Sequence, residues 1–340
     1  MRIKILSLFL TLIFVSCSAG PAASEVTVTP GPSDTPVPTA GPAATLPAPL
    51  VILVLPADMN AQKSQDYQTL VYNLAQTAGY RFQLLNKLTS ADLALEPNLK
   101  VVIALPPDPG IVDLAAAAPG AQFLAVNIPD IKPGGNVSTL GGKEPPIDKV
   151  AFMAGYIAAM ITDDFRTGVV LHKDSSDSDA IASAFGAGQM FYCGLCHPAL
   201  PPYVDYPQST LIPSDAKPAE YTAYADLLIR QGVQTIFLPP TLDTPELLQY
   251  LPTVGVLMIG TESPTTNVSG WLLTLQPDYL EDVKAAWPDL IGGKGGQAFA
   301  APLALTDVNS DLLSEGKQRL AKQTLSDLLA DKISTAPKQP

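Results

Sequence analysis

Leu50-Val51-Ile52-Leu53-Val54-Leu55 is the stretch that decides the fold of this chain. A continuous apolar run of this length is typical of a β-strand that is buried on both faces. A helical pattern at 62–77 follows it, and strand patterns at 81–85, 101–105 and 122–126 alternate with helical patterns at 90–95 and 110–117. This strand–helix–strand repetition predicts a parallel β-sheet with helices on both faces.

The same alternation begins again at residue 147. The helical pattern at 147–162 carries an apolar face with i, i+3, i+4 spacing. Strand patterns follow at 168–172, 203–206, 235–238 and 255–260, with helical patterns between them at 178–192, 219–231 and 245–251. Two successive units of similar size predict an α/β protein with two lobes, each a parallel sheet flanked by helices.

The C-terminal part contains too few elements for a third domain. Strand patterns at 271–275 and 299–305 alternate with helical patterns at 279–287 and 311–331. We expect these elements to complete the two sheets through several hinge crossovers, with candidate hinges at 129–146, 261–267 and 292–296. The predicted first lobe is 49–146 plus roughly 268–296, the second is 147–267 plus roughly 297–331, and a disordered tail follows at 332–340.

The N-terminus has the features of an export signal. Arg2 and Lys4 precede a mainly apolar stretch at 5–15, which Ser16 and Cys17 follow. That stretch is too short to span the ~30 Å hydrocarbon core as a helix, but it has the length of a signal-peptide core. The segment resembles a bacterial lipobox, which implies a signal peptide at 1–16 and lipidation of Cys17. The alternative is an ordinary secretory signal with an incidental cysteine. Both place the mature chain outside the cytoplasm, and lipidation would anchor it to the cell membrane at the extracytoplasmic face.

Composition predicts a disordered tether at 17–48, since Pro, Thr, Ala, Gly and Ser dominate there and cannot bury enough apolar surface to fold. Loss of Arg2 and Lys4 with the signal would leave 18 basic against 32 acidic residues, a net charge of −14. Such an acidic surface repels phosphate backbones, which argues against nucleic acid as a partner.

Four stretches resemble the basic-membrane-protein family, lipoproteins that deliver purine nucleosides to ABC transporters. They are the helix pattern around Ala154-Gly155, the strand Thr167-Gly168-Val169-Val170-Leu171, the segment Phe185-Gly186-Ala187-Gly188, and the glycine-rich 292–296 with the following 301–309. The resemblance implies a type I periplasmic-binding-protein fold and an ABC permease as partner, and we expect a monomer.

The resemblance does not extend to the residues that read the family's ligand. Asp58 has no Phe-Asn pair beside it, and Glu262 is a single displaced carboxylate where the family has two aspartates. The implied solute is therefore only a small polar molecule, nucleoside-like or sugar-like.

Candidate ligand-binding residues follow from the rule that ligands of open α/β sheets bind beyond the carboxyl ends of the strands. The rule selects Asp58, Asn60, Asp108, Asn127, His172–Asp174, Tyr203, Asp205, Thr241, Asp243, Thr261 and Glu262, and Trp271 joins them as an aromatic candidate. Short acceptors dominate this set, which suits a neutral or cationic solute, and Tyr203 and Trp271 could stack on a ring. The alternative for most of these residues is helix capping or turn formation.

Cys193-Gly194-Leu195-Cys196-His197 is a C-x-x-C-H sequence, the spacing used for attachment of c-type haem. An exported chain also favours a small disulfide between Cys193 and Cys196. Free or metal-binding thiols are a third possibility, although two histidines and a single Cys pair support zinc poorly. We expect the disulfide and no cofactor.

The sequence contains none of the common catalytic motifs, such as Gly-x-Ser-x-Gly or His-Glu-x-x-His. We therefore expect a solute receptor that feeds an ABC importer rather than an enzyme. A ligand-sensing or scaffold lipoprotein on the same fold is the alternative, and a haem electron carrier using Cys193, Cys196 and His197 is a more distant one.

Overall fold

The computed structural model describes residues 47–336 of the 340-residue chain. The predicted signal peptide, Cys17 and the tether as far as residue 46 lie outside the described residues, as do residues 337–340. Within the described part, no helix has both the length and the apolar character needed to cross a bilayer.

The first lobe begins with five strands connected mainly by helices. In chain order they are β1 (Leu50–Val54), α1 (Ala61–Thr77), β2 (Arg81–Leu85), α2 (Ser90–Ala94), β3 (Leu99–Ala104), α3 (Ile111–Ala117), β4 (Gln122–Val126) and β5 (Val137–Leu140). Later in the chain, α8 (Tyr279–Ile291) and β11 (Ala298–Phe299) join them. The sheet has six parallel strands in the order β11-β5-β4-β3-β1-β2.

The apolar run of β1 is buried on both faces, as its composition predicts. Leu50, Ile52 and Val54 pack into the cluster that α2 and α3 cover. The alternate residues Val51 and Leu53 pack into the cluster that α1 and α8 cover. Successive side chains of a strand point to opposite faces, so an uninterrupted apolar strand is stable only with helices on both sides.

The second lobe repeats this architecture. It contains α4 (Ile147–Ile161), β6 (Thr167–His172), α5 (Ser178–Cys193), β7 (Gln208–Ile212), α6 (Tyr221–Arg230), β8 (Thr235–Phe237), α7 (Pro245–Tyr250), β9 (Leu257–Gly260), β10 (Trp271–Pro277), β12 (Leu303–Thr306) and α9 (Glu315–Leu329). Three short 3₁₀ helices lie at Asp163–Phe165, Pro218–Glu220 and Leu251–Val254. The strand order is β12-β10-β9-β8-β6-β7, and only β12 is antiparallel to its neighbour. The two-lobed α/β prediction is therefore confirmed.

The chain crosses between the sheets three times. The crossings lie between β5 and α4, between β10 and α8, and between β11 and β12. The predicted lobe boundaries at 268 and 297 are wrong, because β10 belongs to the second sheet and β11 to the first. The single strand predicted at 299–305 is two strands, one in each lobe. Of the candidate hinges only 129–146 contains a crossing, since 261–267 lies between two strands of the second sheet and 292–296 lies between α8 and β11.

Other local predictions also differ from the structure. The strand expected at 203–206 is absent from the described chain, and the edge strand is β7 at Gln208–Ile212, while β5 was not expected. The disordered tail cannot begin at 332, because Ile333 packs on the second-lobe core and Thr335 Oγ1 donates to Asp148 Oδ2 over 2.6 Å. The tether cannot extend to 48, because the carbonyl oxygen of Ala48 accepts from Arg81 Nε over 3.0 Å.

Candidate functional site

A cleft of about 1020 Å³ lies where the strand ends of the two lobes face each other. Residues of both lobes and of the crossings line it. This volume is at the upper end of the range of roughly 300–1,000 Å³ that holds small-molecule ligands in proteins. The walls of this cleft come from both lobes.

The first-lobe wall is built on helix α1. Asn60 caps this helix, because its Oδ1 accepts from the backbone N–H groups of Gln62 over 2.9 Å and Lys63 over 3.2 Å. The helix then presents Lys63, Asp66 and Tyr67 to the cleft. Capping satisfies the free N–H groups at the helix start and fixes where this wall begins.

Two tyrosines lie side by side on this wall. Tyr67 on α1 is buried, and Tyr279 at the start of α8 is half-buried. Burial raises the pKa of both hydroxyls, and the carboxylate of Asp282 raises them further. Gly141 lets the first crossing pass close to Tyr279, since its φ is +73° and an added Cβ would lie 2.7 Å from the ring. Both tyrosine hydroxyl groups therefore stay neutral and can form hydrogen bonds at physiological pH.

The second-lobe wall follows the carboxyl ends of β6, β8 and β9. His172 ends β6, and its Nε2 lies 3.0 Å from the Oγ1 of Thr241, which follows β8. Thr261 and Glu262 directly follow β9. Gln276 near the end of β10 donates through Nε2 to Ser263 Oγ over 2.6 Å, which orders the loop that carries Glu262.

Three loop residues of the cleft have left-handed backbones. Asn127 after β4 has a φ of +50°, Thr241 after β8 has a φ of +70°, and Asp307 after β12 has a φ of +49°. A β-branched threonine rarely adopts this conformation, so the second lobe must hold Thr241 there at an energetic cost of order 1–3 kcal/mol. Such residues cluster at binding sites, where the surrounding structure fixes them.

Acidic side chains dominate the charge of the cleft. The charged residues that line it are Asp66, Glu144, Asp177, Glu262, Asp278 and Asp307 against Lys63 and Lys322. Burial raises the pKa of Glu262, and the carboxylates of Asp243 and Glu144 raise it further, while Lys63 lowers it. Burial also raises the pKa of Asp243. The cleft thus disfavours anions.

Five of the predicted ligand-binding residues line the cleft: Asn127, His172, Thr241, Thr261 and Glu262. Each is the last residue of a strand or lies within four residues of a strand end, as the strand-end rule requires. Thr261 Oγ1 is buried and has no hydrogen-bond partner within residues 47–336. Its hydrogen-bonding capacity is therefore unused within the described residues.

Three further predicted residues have structural roles instead. Asp108 Oδ1 accepts from the N–H groups of Gly110 over 3.0 Å and Ile111 over 2.9 Å, so it caps α3. Asp174 Oδ2 accepts from Ser214 Oγ over 2.8 Å, and this hydrogen bond holds the pKa of Asp174 below its usual range. Asn60 caps α1 rather than lining the cleft.

The remaining predicted residues are also outside the cleft. Asp58 is exposed in the loop before α1. Tyr203 and Asp205 are exposed on a loop of the second lobe. Trp271 is only 5 % exposed, packs in the second-lobe core against Gly260, and donates from Nε1 to Thr274 Oγ1 over 3.1 Å. Neither Trp271 nor Tyr203 therefore lies in the cleft, where the sequence predicted a solute ring.

Several cleft residues were missed by the strand-end rule. Tyr67 and Lys63 come from a helix, Glu144 comes from the first crossing, and Tyr279 begins the helix after the second crossing. The sequence did not reveal where these crossings lie.

Cys193 and Cys196 form a disulfide at the end of α5, with their Cα atoms 5.2 Å apart. Their sulfur atoms are joined to each other and so are not free for thioether bonds to a haem. Neither cysteine lines the cleft, and the exposed His197 has its Nδ1 3.9 Å from Asp205 Oδ1. Within residues 47–336, no group of three or more His, Cys, Asp or Glu residues is placed to hold a metal ion.

Comparisons with known proteins support the fold. No protein-family model and no curated protein matches this chain. Among solved structures, a transcriptional activator of the comK gene from Bacillus halodurans is similar, with a TM-score of 0.53 at 10% identity, covering 84% of this chain and 99% of that one.

Two further solved structures are less similar. For an ABC transporter solute-binding protein from Aeropyrum pernix K1, the TM-score is 0.49 at 12% identity, over 86% of this chain and 94% of that one. For a LacI family regulator from Enterococcus faecium with bound ribose, the TM-score is 0.42 at 14% identity, over 76% of this chain and 97% of that one. At sequence identities this low, structural similarity is evidence for a shared fold alone. The likeness to the Bacillus halodurans structure supports the two-lobed α/β fold of this chain.

Proposed function

We propose that this chain is an extracytoplasmic, membrane-anchored binding protein that captures a small polar solute between its lobes for an ABC importer. The observation that carries this proposal is the cleft of about 1020 Å³ with walls from both lobes, which three chain crossings connect. Short crossings allow two lobes to close around a ligand as nearly rigid bodies. Closure would bury the solute and change the surface that a permease meets.

The lining of the cleft supports a solute with hydroxyl or amino groups. Thr241, Thr261, Asn127 and His172 offer acceptors and donors, and the two tyrosines offer rings for a nucleoside-like or sugar-like molecule. The excess of carboxylates makes a free phosphate or carboxylate an unsuitable cargo.

The anchoring part of the proposal rests on the sequence around Cys17 and on the Pro/Thr-rich segment after it, which lie outside the described residues. Metabolic labelling with a fatty acid would test it. A Cys17→Ser variant should lose the label and leave the membrane fraction.

A thermal-shift screen would test solute binding. All four hydrophobic clusters lie between Leu50 and Ile333, so a chain of residues 46–340 contains the whole folded core. After unfolding and refolding to remove bound ligand, nucleosides, sugars, polyamines and amino acids would be added. A solute at 100 times its Kd stabilises the fold by about 2.7 kcal/mol, which raises the Tm by roughly 4 °C for a chain of this size. If a correctly folded sample responds to none of them, the receptor function loses its support. If a solute binds, its uptake by cells with and without the protein would separate import from sensing, because only an importer's receptor is needed for uptake.

A further inference from the structure

Two carboxylates without a basic partner line the cleft. Glu144 lies in the first crossing, beside the first-lobe wall, and Glu262 follows β9 on the second-lobe wall. In the described chain, neither carboxylate lies within ion-pairing distance of a lysine, arginine or histidine nitrogen. The two side chains therefore contribute negative charge to one cleft from separate elements of the chain.

The carboxylate of Glu144 acts on that of Glu262 within the cleft. Burial is the main reason that the pKa of Glu262 is raised, and both Asp243 of its own lobe and Glu144 of the other lobe raise it further. Lys63 on α1 opposes this effect, and Lys322 on α9 is the other lysine on the cleft lining. Moving the lobes together would bring like charges closer in a less polar space, which opposes closure unless a cation lies between them.

The neighbouring aromatic side chains suit an organic cation. The half-buried Tyr279 lies close enough to Glu144 for that carboxylate to raise its pKa, and Tyr67 lies beside it. A ring face next to carboxylates is a common arrangement for binding ammonium groups, because the ring quadrupole attracts the cation.

The size and composition of the cleft argue against a bare metal ion. Its volume of about 1020 Å³ exceeds that of a metal site many times, and the described residues contain no group of three or more metal-binding side chains. A molecule with a charged nitrogen and a polar or apolar body fits both observations.

We propose that the solute is an organic ammonium ion whose charged nitrogen binds between Glu144 of the first crossing and Glu262 of the second lobe, so that both carboxylates contact one cation. This inference rests on the proposed function and names the chemical class of its solute. Binding thereby removes the repulsion between the two carboxylates.

The test compares cations with neutral molecules of the same shape. Choline would be paired with 3,3-dimethyl-1-butanol, and 1,4-diaminobutane with 1,4-butanediol, in thermal-shift and calorimetric titrations of the refolded chain. We expect at least one cation to bind and its neutral partner to bind at least tenfold more weakly, with the affinity falling as salt is raised. A compound that co-purifies with the protein, released by denaturation and identified by mass spectrometry, should carry a cationic nitrogen.

Two matched variants locate the charge. Glu144→Gln and Glu262→Gln keep the shape of the side chain and should each weaken binding of the cation by about 10- to 100-fold. Glu246→Gln removes an exposed carboxylate of α7 outside the cleft, changes the net charge equally, and should leave affinity unchanged. Tight binding of a neutral nucleoside or sugar that both cleft variants retain would overturn the ammonium inference while keeping the receptor function. No binding by any compound and no co-purified molecule would count against both.

Discussion

The side-chain amide of Asn60 joins the two lobes while it caps a helix. Its Oδ1 accepts from the N–H groups at the start of α1, and its Nδ2 donates to the carbonyl oxygen of Thr265 over 3.0 Å. Asn60 belongs to the first lobe, and Thr265 lies in the loop between β9 and β10 of the second. One side chain thus fixes the start of a cleft wall and holds it against the opposite lobe.

Removing only the amide donor should favour an open arrangement of the lobes. Asn60→Ser keeps an oxygen that caps α1 but is too short to reach Thr265. A neutral hydrogen bond contributes about 0.5–1.5 kcal/mol, so the ratio of open to closed molecules should rise about two- to tenfold. Small-angle X-ray scattering without solute should show a larger radius of gyration.

Asn60→Ala separates the two roles of this residue. It loses the cap as well, which should lower the free energy of unfolding by about 1 kcal/mol relative to Asn60→Ser, with the same degree of opening. Opening in the alanine variant alone would mean that the cap, and not the contact with Thr265, controls the lobes.

The contact between α4 and α5 depends on two glycines. Gly188 on α5 packs directly on the backbone of Phe152, and Gly155 on α4 packs on the backbone of Phe185, so a Cβ at either position would collide with a carbonyl group. Gly188→Ala should therefore destabilise the protein by about 1–3 kcal/mol, through forced separation of the two helices. Urea unfolding would measure the loss.

Gly186 provides the matched control on the same helix. A Cβ there would meet only the ring of Pro207, at an ordinary contact distance of 3.7 Å. Because alanine favours a helix over glycine by roughly 0.5–1 kcal/mol, Gly186→Ala should be neutral or stabilising. Equal destabilisation by both variants would show that helix packing at Gly188 is not the cause.

The architecture was predictable because the buried strands are short apolar runs that only a doubly covered sheet can accommodate. The three crossings were not predictable, because nothing in the local sequence of β10, the two-residue β11 or β12 assigns these strands to a lobe. Strand β5 was not predicted, because Val137–Leu140 contains two buried polar residues, Ser138 and Thr139, and so lacks an apolar run.

The candidate site was predictable only in its strand-end part. Asn127, Thr241, Thr261 and Glu262 were found because parallel strands of one sheet end at the same edge. Asp108 followed the same rule but faces its own helix start, where an aspartate is equally suitable. Glu144 and Tyr279 could not be found, since their place in the cleft depends on where the chain crosses between the lobes.

The disulfide should contribute to stability without affecting the cleft. Cys193 and Cys196 are three positions apart, and such a short loop gives about 1–2 kcal/mol of stabilisation. The loop after them has other supports, since Asp164 Oδ1 accepts from Ala199 N over 3.0 Å and Arg166 Nη2 donates to Pro201 O over 2.8 Å. In a Cys193→Ser/Cys196→Ser variant, the free energy of unfolding measured in urea should fall by about 1–2 kcal/mol. The variant should keep its solute-induced thermal shift. Loss of the shift on reduction would connect the disulfide to binding after all.

Asp282 should make stability depend on pH between about 4 and 6. Burial, together with the carboxylates of Asp278 and Glu281, raises the pKa of this carboxyl to about 6, and its Oδ2 has no hydrogen-bond partner within residues 47–336. Because the folded-state pKa lies above the unfolded value, the folded protein binds the proton more tightly. The stabilisation from the protonated form is complete below the unfolded pKa and is lost as the pH rises through the folded pKa.

An Asp282→Asn variant cannot ionise at this position. Between pH 4 and pH 7.5, its free energy of unfolding should gain about 1 kcal/mol relative to the wild type, after allowance for partial exposure of the group. Urea unfolding at both pH values would measure this, with exposed Asp113→Asn on α3 as the control, and an Asp282→Asn effect that does not change with pH would contradict it.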